Sequence, residues 1–178
     1  EFLDWLVDPK QNGGGAIVDF GCYGANLMTW LMDGKKPQSV TAVTQQLQAE
    51  NNPQVDDESI IILGYENANA IVQGSWNWPI GRKDMEIYGE TGAVYADNRH
   101  NYRMRIAKGY DDFEETTLAL PERAAPYNDP FHYFKALINE EISISPHDLS
   151  ALENNMVVVE ILDAARESAK TGNTVYLK

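Results

Sequence analysis

Hydrophobic positions follow three successive patterns along the chain. From about Gly14 to Met32, apolar residues recur every three or four positions, which is typical of a helix with one face on a core. From about Gln38 to Leu120, short runs alternate between apolar and polar residues, which indicates half-buried strands. Helical spacing returns from about Asp129 to Thr171, and a last strand is predicted at Thr174 to Leu177.

Turn and stop signals divide these zones into elements. We predict that the first helix ends at Gly34, and that Glu66 to Asn69 and Gly89 to Gly92 are turns between strands. Ser145-Pro146-His147-Asp148 offers a serine cap followed by proline at the first helical position. The last long helix is therefore predicted to start there and to stop at Gly172.

Short turns between successive strands favour an antiparallel, meandering sheet. With helices before and after it, the chain is predicted to be an α+β domain, an open, mainly antiparallel β-sheet with helices packed on one face. The length of 178 residues suffices for a single domain, residues 1–178. The other sheet face holds many apolar positions, so we expect a homo-oligomer through that open face.

Composition excludes several classes of partner. The chain has 27 acidic and 14 basic residues and a net charge of −13, so nucleic acid is not expected as a partner. No apolar stretch is long enough to suggest a membrane span.

The single cysteine, Cys22, permits no internal disulfide and is expected to be a small core residue. No metal site is expected, and Asp56-Asp57-Glu58 is interpreted as a solvated turn because no ligand stands at metal-binding spacing.

The strongest candidate for chemistry is Asp19 with Tyr23, four residues apart on the first helix. Such positions share one helix face, with Cβ atoms roughly 5–6 Å apart. A carboxylate and a phenol there can grip a polyol or exchange a proton with a hydroxyl or carbonyl oxygen, and a nearby cation would favour that exchange. The alternative is structural: Asp19 caps a local turn and Tyr23 is a core aromatic.

A second candidate is an aromatic and cationic cluster. Trp76 and Trp78 are predicted to share one strand face, and Pro79 and Arg82 follow them. Such a group can stack on a sugar ring and bind its hydroxyls. It can equally be a sheet surface buried under a helix.

Gly13-Gly14-Gly15 stands directly before the first helix. A phosphate-binding loop would need Gly-x-Gly-x-x-Gly or a following Lys-Ser or Lys-Thr, and neither is present. We therefore interpret the three glycines as a tight turn that lets the helix approach another backbone.

The run from Gly13 to Tyr23, followed by Leu31 and Gly34, resembles the Gly-Gly-Gly-x-x-x-Asp-x-Gly-x-His/Tyr signature of the Gfo/Idh/MocA oxidoreductases. That family includes glucose-fructose oxidoreductase, inositol dehydrogenases and dihydrodiol dehydrogenases. The likeness covers nearly the whole chain, and its further segments are Trp5, Asp8-Pro9, Gly74-Ser75-Trp76, Ile87 to Gly92 and Glu167 to Gly172.

The resemblance implies a C-terminal domain of the glucose-fructose oxidoreductase type, which supplies the substrate pocket and the oligomer interface. Its usual N-terminal Rossmann domain, which binds NAD or NADP, is absent from this chain. The chain begins at Glu1 without methionine, so it looks like a piece of a longer protein. No cofactor is then expected in this chain alone, and the fragment alone is expected to be inactive. The missing nucleotide-binding domain would be its partner.

Matched by position, Asp19 corresponds to the family's active-site aspartate and Tyr23 to its His-or-Tyr acid/base. A third family residue is a lysine in a Glu-Lys-Pro motif of the nucleotide domain, which this chain lacks. Asn26 stands where many members have aspartate. Trp78 and Arg82 are assigned to substrate binding from their chemistry alone. No residue is assigned to cofactor or metal binding.

The function implied is hydride transfer between NAD(P) and a sugar, polyol or related hydroxyl or carbonyl compound, with Tyr23 exchanging the proton. Two alternatives stay open: a non-catalytic carbohydrate-binding or dimerisation module, and an NAD-dependent glycosidase variant of the same fold. We expect a cytoplasmic protein. A leader ahead of the missing domain would instead direct the parent to the periplasm.

Overall fold

The computed structural model describes residues 2–178, with side chains from Asp4 onward. These residues form six helices and eight strands. They belong to two units, residues 1–78 with 144–178 and residues 79–143. The helices are α1 (Phe2–Leu6), α2 (Pro9–Asn12), α3 (Ala16–Asp19), α4 (Gly21–Leu31), α5 (Pro130–Ile138) and α6 (Leu152–Thr171). The strands are β1 (Ser39–Gln45), β2 (Glu58–Gly64), β3 (Asn69–Ser75), β4 (Met85–Tyr88), β5 (Gly92–Ala96), β6 (Asn101–Ala107), β7 (Phe113–Ala119) and β8 (Val175–Tyr176).

The first unit contains an antiparallel sheet of order β3-β2-β1-β8. Alternate residues of its strands are buried and form a core with α3, α4 and α6. Helix α4 approaches β3 closely, because a Cβ on Gly24 would lie 2.3 Å from Val72 Cγ1. The main core residues are Ile17, Ala25, Val40, Ala42, Ile61, Leu63, Val72, Val158, Ile161, Leu162 and Ala165.

The opposite face of the same sheet is apolar and exposed. Val43 pairs with Ile60, and Ile62 pairs with Ile71, across neighbouring strands. Val43 is 61% exposed and Ile71 is 68% exposed. The open apolar face anticipated from the sequence is therefore present in this unit, and self-association through it stays a prediction.

The second unit contains a meander of four antiparallel strands in the order β4-β5-β6-β7. On one face, Arg103 and Arg105 lie over the ring of Tyr95, with guanidinium carbons 4.8 and 5.1 Å from its centroid. Arg103 pairs with Asp97 and Arg105 with Glu115. Ion pairs and cation–π contacts thus organise this sheet face.

The α+β class with antiparallel strands is confirmed, and so are the predicted turns between β2 and β3 and between β4 and β5. The strands form two sheets where one open sheet was expected. The first helix is divided at Phe20 into α3 and α4. Within residues 2–178, none of the helices combines the length and apolarity that a membrane crossing requires.

The predicted start of the last helix at Ser145 is wrong, because α6 begins at Leu152. The carbonyl of Leu149 accepts hydrogen bonds from the side chains of Asn26 and Asn155, at 2.8 and 3.0 Å. The Asp148 carboxylate accepts from the backbone N–H of Ser150. These side-chain bonds hold the segment as turns and delay the helix. The predicted stop at Gly172 is confirmed by its φ of 70°.

Asp57 is fully buried and organises the loop after β1. Its carboxylate accepts from the backbone N–H groups of Leu47 and Gln48, at 2.8 and 2.7 Å, and from the amides of Asn52 and Asn77. Burial raises the pKa of this carboxyl, but the four hydrogen bonds outweigh it and leave the pKa below its ordinary value. The charged form is therefore the one that the fold stabilises.

Two adjacent residues of β2 test which sheet face holds the core. Ile61 is 1% exposed and Ile60 is 39% exposed. We expect Ile61→Ala to lower the free energy of unfolding by about 2–5 kcal/mol, because it leaves a cavity among packed side chains. Ile60→Ala is the matched control and should cost clearly less. Urea denaturation measures both, and an equal loss would contradict this assignment of faces.

The depressed pKa of Asp57 predicts a pH-dependent contribution to stability. Since the folded pKa lies below the unfolded value of about 3.9, the contribution is present above that pH and is lost as the pH falls through the folded pKa. Asp57→Asn places an amide N–H₂ against N–H donors, so we expect it to lower the free energy of unfolding at pH 7 by about 1–3 kcal/mol.

Urea midpoints between pH 7 and pH 3 measure this difference, which should narrow below about pH 4. Asp111→Asn, a change at an exposed acid, is the control and should stay within about 0.5 kcal/mol of the parent throughout. If the difference in the free energy of unfolding between the parent and Asp57→Asn stays constant down to pH 3, the link between the Asp57 pKa and stability is wrong.

Candidate functional site

Asp19 and Tyr23 lie one helical turn apart at the junction of α3 and α4. Asp19 is the last residue of α3, and Tyr23 is the third residue of α4. Phe20 between them keeps right-handed helical backbone angles, φ −103° and ψ −31°. The two side chains therefore stay on neighbouring positions of one helical face, although the helix itself is divided.

The Asp19 carboxylate is held by Trp76. The indole Nε1–H donates to Asp19 Oδ2 at 2.9 Å. Asp19 itself is half-buried. One carboxylate oxygen thus accepts from a rigid donor on the residue that directly follows β3, which orients the carboxylate.

Tyr23 projects its ring to the surface, where 62% of the residue is exposed. Its ring centroid lies 6.4 Å from that of Phe20, with the planes tilted by 40°. The alternative of a core aromatic is therefore wrong, because the phenol is accessible from outside this unit.

Cys22 lies beside the carboxylate and faces the core. It is half-buried, packs against the hydrophobic cluster and donates its thiol to the carbonyl of Asp19 at 3.3 Å. Burial raises the pKa of the Cys22 thiol, and the negative charge of Asp19 raises it further. The prediction of a small core residue is confirmed, and the thiol is disfavoured as a nucleophile.

Asp56 holds the beginning of α3. Its Oδ1 accepts from Gly15 N at 3.1 Å, and its Oδ2 accepts from Ile17 N at 2.7 Å. Its carbonyl accepts from Ala16 N at 3.0 Å. Burial raises the pKa of Asp56 above its ordinary value, and the two backbone N–H donors act against that rise.

Gly15 permits this contact. A Cβ at that position would lie 1.7 Å from the carbonyl oxygen of Asp56. The interpretation of the three glycines as a turn that lets the helix approach another backbone is confirmed.

The same geometry decides whether α3 fits a nucleotide phosphate. Its first N–H groups, from Gly15, Ala16 and Ile17, already have acceptors on Asp56. A carboxylate in that position also repels an anion. The residues at this helix start do not fit the pyrophosphate of NAD(P).

The expectation that Asp56-Asp57-Glu58 is a solvated turn is wrong. Asp57 is fully buried, Asp56 is half-buried, and both accept backbone hydrogen bonds. Across the described residues, no group of three His, Cys, Asp or Glu side chains could hold a metal ion.

Trp78 and Arg82 fall in different units. The prediction that Trp76 and Trp78 share a strand face is wrong, because β3 ends at Ser75. Trp78 is half-buried in the first unit. Arg82 belongs to the second unit, where it makes a two-bond pair with Asp84, at 2.9 and 2.7 Å, and lines a cavity of about 460 Å³. A substrate-binding role for either residue stays a prediction.

Sequence reasoning missed the two residues that build the site around Asp19. Trp76 was grouped with Trp78, although a half-buried indole N–H needs an acceptor. Asp56 was missed, although glycine at the start of α3 supplies no side-chain cap, and the helix therefore needs an acceptor from elsewhere in the chain.

Comparison with known sequences gives a family and a curated relative. The GFO/IDH/MocA C-terminal domain model matches residues 1–95, a segment that contains Gly15, Asp19, Tyr23, Asp56 and Trp76. Trans-1,2-dihydrobenzene-1,2-diol dehydrogenase of Xenopus tropicalis is 31% identical over 85 residues, which are 48% of this chain and 24% of that enzyme.

Solved structures share the fold. A putative oxidoreductase from Thermotoga maritima has a TM-score of 0.77 at 23% identity, over 98% of this chain and 50% of that one. Aldose-aldose oxidoreductase from Caulobacter crescentus, complexed with glycerol, has a TM-score of 0.73 at 19% identity, over 97% and 50%. GenD2 from gentamicin A biosynthesis, in complex with NAD, has a TM-score of 0.62 at 18% identity, over 98% and 51%.

This chain spans about half the length of the solved structures that it matches. The α+β fold, the glycine-to-tyrosine motif and the family model all indicate the same family. Since the model matches more than half of the residues, the chain belongs to the GFO/IDH/MocA C-terminal domain family of oxidoreductases.

Proposed function

We propose that this chain is the substrate-binding C-terminal domain of an NAD(P)-dependent oxidoreductase. Its substrate is a sugar, polyol or related compound with a hydroxyl or carbonyl group. One observation supports this proposal above all. The Asp19 carboxylate is held by an indole, and the exposed phenol of Tyr23 follows it one helical turn later.

The proposed mechanism concerns the proton and the position of the substrate. Oxidation of an alcohol by nicotinamide removes a hydride from carbon and a proton from oxygen. Tyr23 exchanges that proton with the substrate oxygen, because its phenol is exposed and it lies one helical turn after Asp19. Asp19 accepts a hydrogen bond from a substrate hydroxyl and so orients the substrate.

As the family resemblance implies, the cofactor is proposed to be held by a nucleotide-binding domain outside this chain. The start of α3 does not fit its phosphates, because those N–H groups already have acceptors on Asp56. GenD2 supports NAD as the cofactor, because its structure is a complex with NAD. The curated relative acts on a diol by its name, and the Caulobacter enzyme is an aldose-aldose oxidoreductase complexed with glycerol. Hydroxylated compounds are therefore the first substrates to test.

Tyr23→Phe tests the acid/base role in the full-length protein. Removing the phenolic oxygen should lower turnover by about 10²-fold or more, the scale of general acid/base catalysis. The assay follows NAD(P)H absorbance with a panel of aldoses, polyols and vicinal diols.

Tyr176→Phe is the matched control for this substitution. Tyr176 is a tyrosine of β8 in the same unit and is 77% exposed, so turnover should be unchanged. Near-normal turnover of Tyr23→Phe would remove Tyr23 from the acid/base role. Absence of turnover in the unsubstituted protein with every substrate and both nucleotides would count against the proposed function.

Asp19→Asn tests the electrostatic effect of Asp19 on the neighbouring Cys22 thiol. The charge raises the pKa of the neighbouring Cys22 thiol, so removing it should increase the thiolate fraction. We expect faster alkylation of Cys22 by iodoacetamide at pH 7–8, measured by mass spectrometry of the peptide. Asp148→Asn, which changes an acid that bonds Ser150, is the control. An unchanged alkylation rate for Asp19→Asn would contradict this effect of Asp19 on the thiol.

A further inference from the structure

Residues 56 and 57 hold both sides of the Asp19–Trp76 hydrogen bond. On one side, Asp56 accepts three backbone N–H groups at the start of α3, the four-residue helix that ends in Asp19. On the other side, the carbonyl of Asp57 accepts from Trp76 N at 2.9 Å and from Asn77 Nδ2 at 3.1 Å. The carboxylate and its indole donor are thus tied to adjacent residues.

These bonds close a ring through the site. The ring runs from Asp56 through α3 to Asp19, across to Trp76, and back through the backbone bond to Asp57. A helix of one turn has little stability of its own, because its first N–H groups have no partner within the helix. The position of Asp19 therefore depends on the acceptor that holds the start of α3.

We propose that Asp56 is a positioning residue for the active site, which fixes α3 so that the Asp19 carboxylate meets the Trp76 indole. This inference rests on the proposed function for its effect on catalysis. Its structural part, the dependence of the Asp19–Trp76 bond on Asp56, stands on the geometry of this unit alone.

The chemistry of the position favours aspartate. The two carboxylate oxygens accept one N–H each, from Gly15 and Ile17, and neither oxygen can be replaced by a donor without conflict. The backbone of Asp56 lies against Gly15, and glutamate would carry its carboxylate one methylene farther from that backbone, so we expect Asp56→Glu to change the two bonds and displace α3. Asparagine keeps the size but turns one acceptor into a donor, which makes Asp56→Asn the sharpest variant.

The first test reports the geometry without any substrate. The full-length protein is labelled with 5-fluorotryptophan, and the ¹⁹F signal of Trp76 is assigned as the one lost in Trp76→Phe. We expect Asp56→Asn to shift or broaden that signal, because the indole loses its fixed carboxylate partner. Asp129→Asn is the matched control, a carboxylate that accepts from Phe131 N and His132 N in the other unit, and should leave the signal unchanged.

The second test separates positioning from stability. In folded Asp56→Asn, we expect kcat to fall about 10- to 100-fold, the scale of a misplaced catalytic group, with KM changed far less. If Asp56 had a purely structural role, Asp56→Asn would lower the thermal midpoint and the folded fraction. The kcat of the folded variant and its Trp76 signal would then equal those of the parent.

Each outcome decides the inference. An unchanged Trp76 signal in folded Asp56→Asn overturns it, whatever the activity. If that variant does not fold, Asp56→Glu is measured in the same way and should also shift the signal. Failure of both to fold assigns Asp56 to folding alone and overturns the positioning role. A shifted signal in a protein without oxidoreductase activity supports the positioning geometry while the proposed function fails.

Discussion

A short helix that starts on glycine must find its hydrogen-bond acceptors elsewhere in the chain. Gly15 supplies no side chain, so the first N–H groups of α3 are satisfied by Asp56, about 40 residues later. The same glycine leaves the space in which the Asp56 backbone lies. The contact between Asp56 and the start of α3 fixes this helix on the sheet. The direction of α3 in turn determines the positions of Asp19 and Tyr23.

Asp56 and Asp19 accept hydrogen bonds from different kinds of donor and therefore have different roles. Both carboxylate oxygens of Asp56 accept backbone N–H groups of α3, so this carboxylate serves the helix start. Asp19 has one oxygen on the Trp76 indole, and the neighbouring phenol of Tyr23 is exposed. Both residues stand beside apolar runs in the sequence, and only their hydrogen-bond partners distinguish a structural carboxylate from a candidate catalytic one.

Local signals predicted the local features of this site, and long-range bonds account for the failures. The four-residue spacing of Asp19 and Tyr23 and the glycine turn follow from helix geometry and sterics, which short stretches of sequence contain. The start of α6 was misplaced because Asn26, more than 100 residues away, binds the carbonyl of Leu149. Asp56 was interpreted as solvated because its partners lie 39 and 41 residues before it. Periodicity carries no information about such pairs.

Under the proposed function, the charges of the site call for a positive group that the Asp19–Tyr23 pair does not itself supply. Proton exchange through Tyr23 would then pass through a phenolate, which would face the like charge of a carboxylate one helical turn away. A cation near both groups would relieve that repulsion and stabilise the substrate oxygen as it loses its proton. The resemblance places such a cation, a lysine, in the nucleotide-binding domain of the family. Under the proposed function, the chain therefore supplies the acceptor and the proton carrier, and the opposing domain supplies the positive charge that lets them work together.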